Sequence, residues 1–210
     1  MFNKVIFCLG LMGVVATVAI ASNLSINLDK KVVAVPQDTQ LKAAYYLELG
    51  DHKLGETDYQ GALANFNEAI RLAPTSAEGY NRRARFKGDK LDNYQGALAD
   101  FNEAIRLNPN YVDAYIYRSE YKEKLNDIQG ALADLNEAIR RDPNNTMGYY
   151  ERGLLKYRML NDQPGAIADM KEVTRLYMQS NKTRINGQLF YVLAINQLKK
   201  WSVTDRDSGL

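Results

Sequence analysis

The stretch YQGALADFNEAIRLNP, from Tyr94 to Pro109, decides the fold of this chain, because it is one of four related copies. The other copies are YQGALANFNEAIRLAP (Tyr59–Pro74), IQGALADLNEAIRRDP (Ile128–Pro143) and PGAIADMKEVTRLYM (Pro164–Met178). Corresponding alanines lie 35, 34 and 35 residues apart, at Ala62, Ala97, Ala131 and Ala166. Such a period is typical of two-helix repeats that stack into a solenoid, since one unit cannot bury its apolar face alone. The sequence therefore predicts an all-α fold of about four helix–turn–helix units.

The second helix of each unit is visible as an apolar stripe. In the first unit Ala62, Phe66, Ala69 and Ile70 recur at the spacing of a helix with one buried face. A residue with a side-chain oxygen suited to capping precedes each of these helices, at Asp58, Asn93, Asp127 and Asp162. A proline, which cannot continue a helix, ends the first three copies, at Pro74, Pro109 and Pro143.

The first helix of each unit is marked by a tyrosine and, four residues later, by a small residue. The tyrosines are Tyr46, Tyr80, Tyr115 and Tyr149, and the small residues are Gly50, Ala84, Ser119 and Gly153. A small side chain lets the partner helix approach closely, while the tyrosine fills the space one turn earlier. Each unit is therefore predicted to be a tightly packed pair of helices.

These residues together resemble the tetratricopeptide repeat family, which has the small residue, the alanines and the terminal proline at these places. The resemblance covers about residues 43–178, and the wording of the repeats is similar to those common in cyanobacteria. It implies a right-handed superhelical solenoid with units at about 43–76, 77–111, 112–145 and 146–180. Two residues depart from the pattern: Leu49 replaces the arginine of later units, and Met178 replaces a proline.

A further helix is predicted after the fourth unit, over about residues 181–202. Leu189, Val192 and Leu193 lie at helical spacing there, and Trp201 is expected to pack at the end. A solenoid needs a last helix that covers its exposed apolar face, so this segment is predicted to be a cap. Residues 203–210 are predicted to be a loose tail.

The N-terminus is unlike the repeats. The 17 residues from Val5 to Ala21 carry no charge, and Ala19–Ala21 supplies the small residues that a signal peptidase requires. The stretch is also just long enough to cross a bilayer, so residues 1–21 are either a cleaved signal peptide or a membrane anchor. Both interpretations place the repeats outside the cytosol, in a periplasm, a lumen or the medium, after a linker over residues 22–40.

Composition argues against nucleic-acid binding and against catalysis. The net charge is only +2, and no run of Lys and Arg with interleaved aromatic residues is present. The one cysteine, Cys8, lies in the leader, and the one histidine, His52, has no partner motif in the sequence. We therefore expect no enzyme activity, no cofactor and no metal.

One pattern inside the repeats predicts a contact without reference to any family. Units two to four carry an arginine before the small residue and an aspartate in the second helix: Arg83 with Asp100, Arg118 with Asp134, and Arg152 with Asp169. In unit one both are replaced together, by Leu49 and Asn65. The loss of both residues in the same unit indicates that they contact each other, as a partly buried bidentate ion pair with a structural role. The alternative, a row of arginines that binds anionic ligands, leaves the aspartates unexplained.

The resemblance implies that the first helices line a concave groove that receives a peptide. Positions stepped along these helices give the candidate groove residues: Leu47, Asp51, Asn81, Arg85, Ile116, Glu120, Tyr150, Leu154, Tyr157 and Arg158. Apolar residues at the ends and mixed charge in the middle suit a peptide with apolar anchors and a few charges. Tyr150 and Tyr157 are either the anchoring residues or tyrosines that pack on a neighbouring helix or the cap.

Family members that hold the acidic tails of heat-shock chaperones use a clamp of lysine, asparagine and arginine. The matching places here are Leu47 and Asp51 in unit one, and Ile116 and Glu120 in unit three, so that clamp is not expected. Two functions remain open. One is an exported adaptor that binds another protein, and the other is a self-associating component of an envelope or membrane assembly.

Overall fold

The computed structural model describes residues 38–179 and 185–207, and this part of the chain consists of helices and short connections without a strand. The predicted all-α solenoid is confirmed. The helices are α1 (Thr39–Gly55), α2 (Tyr59–Leu72), α3 (Ala77–Leu91), α4 (Tyr94–Leu107), α5 (Val112–Lys124), α6 (Ile128–Arg141), α7 (Thr146–Met159), α8 (Gln163–Gln179) and α9 (Ile185–Asp207).

The helices form four consecutive pairs. Each odd-numbered helix from α1 to α7 packs on the helix that follows it, and each pair packs on the next through its second helix. Neighbouring first helices also touch, α3 with α5 and α5 with α7. The first helices therefore share one face of the solenoid, and we call this face the groove.

The four repeated alanines form the contact line inside the pairs, and each is at most 1% exposed. Gly50 and Gly153 show why the facing residue is small. A Cβ atom on Gly50 would lie 2.6 Å from the Phe66 ring, and one on Gly153 would lie 2.8 Å from the Met170 methyl group. The close approach inferred from the sequence is thus present where the two helices of a unit meet.

The predicted caps are in place at all four second helices. Asp58, Asn93, Asp127 and Asp162 each accept a hydrogen bond of 2.9 Å from the backbone N–H of the glycine three residues later. These glycines leave room for the cap, since a Cβ on Gly130 would lie 2.0 Å from an Asp127 oxygen. Four polar residues in the turns adopt positive φ, namely Thr57, Asp92, Asn126 and Asn161.

Helix α1 begins earlier than the sequence pattern suggested. Residues up to 40 were predicted to be linker and the first unit to begin near residue 43, whereas α1 begins at Thr39. Asp38 explains this start, because its side chain accepts hydrogen bonds from the N–H groups of Gln40 and Leu41 at 2.8 and 3.0 Å.

Helix α9 occupies the place predicted for the cap but ends later than expected. It continues to Asp207, whereas residues 203–210 were predicted to be a loose tail. The sequence from Trp201 to Asp207 contains neither glycine nor proline, so nothing local stops the helix before Gly209. Trp201 is 1% exposed and belongs to the core formed with α7 and α8.

The predicted leader, residues 1–21, and nearly all of the predicted linker lie outside the described residues. Among residues 38–179 and 185–207, no helix combines the length and the apolar character needed to span a bilayer.

The structure brings together each arginine and aspartate that the sequence pairs. Arg83 donates two hydrogen bonds to Asp100, at 2.8 and 2.7 Å, and the pairs Arg118–Asp134 and Arg152–Asp169 have the same bidentate geometry. The aspartate side chains are 5–7% exposed, so these charges are buried and fully paired.

Two more residues complete each ion pair. In unit two, Lys87 contacts Asp100 at 2.7 Å, and Arg83 donates its third hydrogen bond to Asn67 of the preceding unit at 2.8 Å. The other two units repeat this arrangement, with Lys122 and Asn102 around Arg118, and Lys156 and Asn136 around Arg152. We call each set of arginine, aspartate, lysine and asparagine a junction quartet, because it ties both helices of one unit to the unit before.

We expect Arg118→Ala to destabilise the fold. The substitution removes a bidentate partner from buried Asp134 and leaves only Lys122 beside it, which should lower the free energy of unfolding by on the order of 2–3 kcal/mol. Thermal and urea denaturation followed by circular dichroism measure the change.

The matched control for this variant is Arg106→Ala. Arg106 also makes a bidentate pair, with Glu103, but its side chain is 67% exposed. An exposed pair contributes little to stability, so this variant should unfold almost like the wild type. Equal unfolding curves for both variants would contradict a structural role for the junction quartet.

Candidate functional site

Two cavities open on the groove. The first has a volume of about 530 Å³ and lies among α1, α3 and α5. Its lining consists of Asp51, Leu54, Glu78, Asn81, Arg82, Arg85, Phe86, Asp89, Lys90, Tyr111, Asp113 and Tyr117. The size is in the range of pockets that bind small ligands or a few residues of a peptide.

Asn81 is the most buried polar residue of the first cavity, with 5% of its surface exposed. Its side-chain N–H donates a hydrogen bond to the Tyr111 hydroxyl at 3.2 Å. Its side-chain oxygen, Oδ1, is buried and accepts no hydrogen bond within the described residues. A buried acceptor without a donor is unfavourable, so Asn81 contributes an unsatisfied polar atom to the wall of the cavity.

Arg82 occupies the edge of the same cavity and is fully engaged. Its guanidinium contacts Glu78 at 2.6 Å on its own helix, Glu48 at 3.0 Å on α1, and also Asp51. Three carboxylates therefore surround one cation. Burial raises the pKa of Asp51 above its ordinary value, although Arg82 acts in the opposite direction.

Arg85 and Asp113 both line the cavity but form no ion pair with each other. The Arg85 guanidinium lies over the Tyr117 ring, 4.4 Å from its centre. The Asp113 carboxylate has no hydrogen bond or ion pair with any described residue, and burial raises its pKa. Asp89 is partly engaged, because it accepts a hydrogen bond of 2.6 Å from the Tyr121 hydroxyl.

The second cavity, of about 280 Å³, lies between α5 and α7. Three carboxylates, from Glu120, Glu123 and Glu151, share it with a single cation, Arg158. Arg158 contacts Glu123 at 3.1 Å, and Glu120 contacts Lys124 at 3.4 Å, so Glu151 alone lacks a partner among the described residues. Burial, and then the negative charge of Glu120, raise the pKa of Glu151 to about 7.

The structure places nine of the ten predicted groove residues in three sets and leaves Leu47 apart. Asp51, Asn81 and Arg85 line the first cavity, and Ile116, Glu120 and Arg158 line the second. Leu47 lines neither cavity, because its side chain is 5% exposed and packs in the core with Phe66. Ile116 is also a core residue, with 2% of its surface exposed.

The third set, Tyr150, Leu154 and Tyr157, lies against the cap. The Tyr157 ring stacks on Trp201 with ring centres 4.3 Å apart, and Tyr150 packs on Phe190 at 5.4 Å. Leu154 borders the same apolar cluster. Of the two interpretations that the sequence left open for the tyrosines, packing against the cap is therefore the one that the contacts show, and neither ring lines a described cavity.

Sequence reasoning missed several lining residues. Glu78, Asp113 and Tyr117 lie three residues before Asn81, Ile116 and Glu120, on the same face of α3 and α5 but one turn nearer the start of each helix. The helical period alone would have found them, had it been followed in both directions from each predicted position. Tyr111 precedes α5, and its place in the cavity depends on the fold of the connection between α4 and α5.

His52 does not lie in either cavity. Its side chain is 66% exposed and lies 3.6 Å from Glu56 on the same helix. In the part of the chain that the structure describes, no three His, Cys, Asp or Glu side chains are grouped as metal ligands would be.

A family model described as Tetratricopeptide repeat matches residues 89–146, which include α4, α5 and α6. The paired helices at this period extend through all four units of the structure. Residues 89–146 thus match the tetratricopeptide repeat family. Proteins of this family are generally non-enzymatic scaffolds.

Solved structures of tetratricopeptide repeat proteins share this fold. MamA is 21% identical, with 67% of this chain and 81% of that chain aligned at a TM-score of 0.59. YrrB is 18% identical, with 77% of this chain and 76% of that chain aligned at a TM-score of 0.56. The first tetratricopeptide repeat domain of Spaghetti (RPAP3), bound to an HSP90 peptide, is 24% identical. The alignment covers 59% of this chain and 96% of that domain, at a TM-score of 0.53. A comparison with curated protein sequences gave no match.

The raised pKa of Glu151 predicts a pH-dependent stability. The carboxyl titrates at about 7 in the folded protein and ordinarily at 4.5, so the folded state holds its proton more tightly and stability falls as pH rises between these values. At about pH 8, Glu151→Gln should therefore unfold at a higher temperature than the wild type, with a free energy of unfolding that is higher by on the order of 1–2 kcal/mol. Near pH 4 the variant and the wild type should unfold alike.

Glu137→Gln is the control with the opposite sign. The Arg140 and Arg141 guanidinium groups lower the pKa of Glu137 to about 2. Arg141 is only 18% exposed, so this charge, unlike that of the exposed Glu103–Arg106 pair, stabilises the fold at neutral pH, and the stabilisation is lost in acid. The Glu137→Gln variant should melt below the wild type at about pH 8. Paired melting curves across this pH range measure both effects. A Glu151→Gln variant that melts below the wild type at about pH 8 would contradict the claim that the buried, unpaired Glu151 carboxylate destabilises the fold.

Proposed function

We propose that this protein is a non-enzymatic interaction scaffold that binds a segment of another protein along the groove. The observation that carries the proposal is the first cavity, in which the buried Asn81 oxygen lacks a donor and polar side chains from three successive first helices converge. An extended peptide offers an N–H group at every residue, so its backbone can satisfy such an acceptor.

The rest of the cavity suits a peptide side chain. The Tyr111 and Tyr117 rings supply flat apolar surface, and Leu54 lies at the α1 side. The surrounding carboxylates and guanidinium groups provide a polar rim, as in many protein interfaces. The second cavity lies one unit further along, so one extended segment can contact both.

Structural relatives support this function. YrrB is described as having an unusual peptide-binding site, and the Spaghetti (RPAP3) domain was solved with the HSP90 peptide SRMEEVD. The residues that would grip such an acidic tail differ here, since Asp51 and Glu120 carry negative charge and Leu47 and Ile116 are buried. The proposal is therefore a peptide-binding groove of different selectivity.

A selection from a random peptide library tests this function. The full-length protein, kept in a non-ionic detergent because of its apolar N-terminus, is used to select from phage that display nine-residue peptides. We expect enrichment of a peptide class that binds the wild type and is lost with Asp113→Lys. Asp113 makes no hydrogen bond or ion pair with a described residue, so reversing its charge changes the groove and spares the core.

The control variant Glu103→Lys reverses a charge of the same sign that lines neither cavity and should retain the selected peptides. Failure to enrich any peptide, or equal loss of binding with both variants, would contradict peptide binding in the groove.

Self-association is the second candidate function, and the exposed apolar side chains of Met178, Leu189 and Val192 near the C-terminal end favour it. A mass that rises with protein concentration in light scattering, without peptide enrichment, would support it.

We further propose that the protein is exported or anchored in a membrane by residues 1–21. The uncharged Val5–Ala21 stretch, followed by polar Ser22 and Asn23, supports this location. The intact mass of the protein from its native source tests it. A chain that begins near Ser22 indicates a cleaved signal, and a full-length chain recovered only with membranes indicates an anchor. A full-length chain recovered without membranes would contradict both.

A further inference from the structure

The groove is opposite in charge to the protein as a whole. The chain carries a formal charge of +2, whereas the two cavities together are lined by seven carboxylates and four cationic side chains. The lining therefore has a formal excess of three negative charges. Carboxylates concentrated in a concave surface of low dielectric attract cations and repel anions more strongly than the same charges on a convex surface.

Two of the four cations in the groove are paired with carboxylates. Arg82 is held by three carboxylates and Arg158 by Glu123. Arg85, which lies over the Tyr117 ring, and the exposed Lys90 make no ion pair with a described residue. The groove as a whole still keeps its formal excess of three negative charges.

Three acceptor groups in the groove lack a partner among the described residues. Asp113 in the first cavity and Glu151 in the second make no hydrogen bond or ion pair with described residues, and Asn81 Oδ1 is a buried acceptor without a donor. A carboxylate ligand has no proton to donate to any of them. An ammonium or guanidinium group donates several hydrogen bonds and carries the charge that the carboxylates lack.

The pKa values agree with this picture. The pKa of Asp51, of Asp113 and of Glu151 is raised, first by burial and then also by a nearby carboxylate, which is Glu48, Asp142 and Glu120 respectively. The charged form of each group is thus disfavoured in the free protein, and a bound cation would favour it.

We infer that the groove selects a basic peptide segment, whose lysine or arginine head group enters the first cavity lined by Asn81 and Asp113. This inference rests on the proposed peptide-binding function and specifies its ligand. The planar rings of Tyr111 and Tyr117 border the cavity and can contact the aliphatic stem or the cation itself. The negative second cavity extends the same preference along the segment.

Three matched peptide sets test the inference. Fluorescein-labelled nine-residue peptides share one scaffold with two leucines and differ only in carrying lysine, glutamine or glutamate at three central positions. Fluorescence anisotropy with the full-length protein in non-ionic detergent measures each dissociation constant. We expect the lysine set to bind about tenfold more tightly than the glutamine set, the glutamate set to bind most weakly, and salt to reduce the difference.

Asp113→Asn is the decisive variant, because it removes one negative charge with little change in shape and breaks no hydrogen bond or ion pair with a described residue. It should weaken binding of the lysine set about fivefold to tenfold and leave the glutamine set unchanged. Asp113→Lys should go further and favour the glutamate set. Glu103→Gln, which removes a charge that lines neither cavity, is the matched control and should bind all three sets like the wild type.

The outcomes separate this inference from the proposed function. Equal binding of the three sets, or preference for glutamate, overturns the inference while peptide binding itself stands. Lysine preference that Asp113→Asn and Glu103→Gln weaken equally also overturns it, because the preference would then follow net charge and not this cavity. Binding of none of the sets overturns it as well, and the peptide library then decides independently whether the groove binds peptides at all.

Discussion

The ion pair between the arginine of a first helix and the aspartate of its partner helix is the contact on which the stack depends. Both charges are removed from water, so each is tolerated only because the other is present. The junction quartet adds a lysine on the aspartate and, through the arginine, an asparagine of the unit before. One buried polar cluster thus fixes the helix pair and its neighbour together, while the alanines and small residues let the helices approach.

The same constraint accounts for the two ends of the stack. Unit one is the first unit among the described residues, and Leu49 and Asn65 replace the charged pair there. After unit four, Lys171 stands where the earlier units have the asparagine, and Leu193 precedes the buried Ala194 where an arginine would stand. An arginine at either end would lack part of its quartet, so apolar residues take its place. Helix α9 accordingly closes the solenoid through Phe190 and Trp201.

The rigid stack makes the groove a prepared surface. Since the first helices are held in register by their partners, the side chains of Asn81, Asp113 and Glu151 are presented without help from mobile loops. This arrangement leaves two unfavourable features in the free protein, namely a buried oxygen without a donor and carboxyl groups with raised pKa values. Unfavourable features of this kind are reduced when a ligand of complementary charge binds.

The sequence by itself determined the helices, their pairing, their caps and the buried ion pairs, because these contacts repeat with the period and join residues about 17 positions apart, such as Arg83 and Asp100. Only the tertiary structure decided which candidate groove residues face the cavities. Tyr157 stacks on Trp201, which follows the last repeat and belongs to no repeated pattern. Likewise the burial of Asn81 depends on Tyr111 from the next unit. The period fixes contacts within a unit, whereas exposure depends on which neighbours cover each residue.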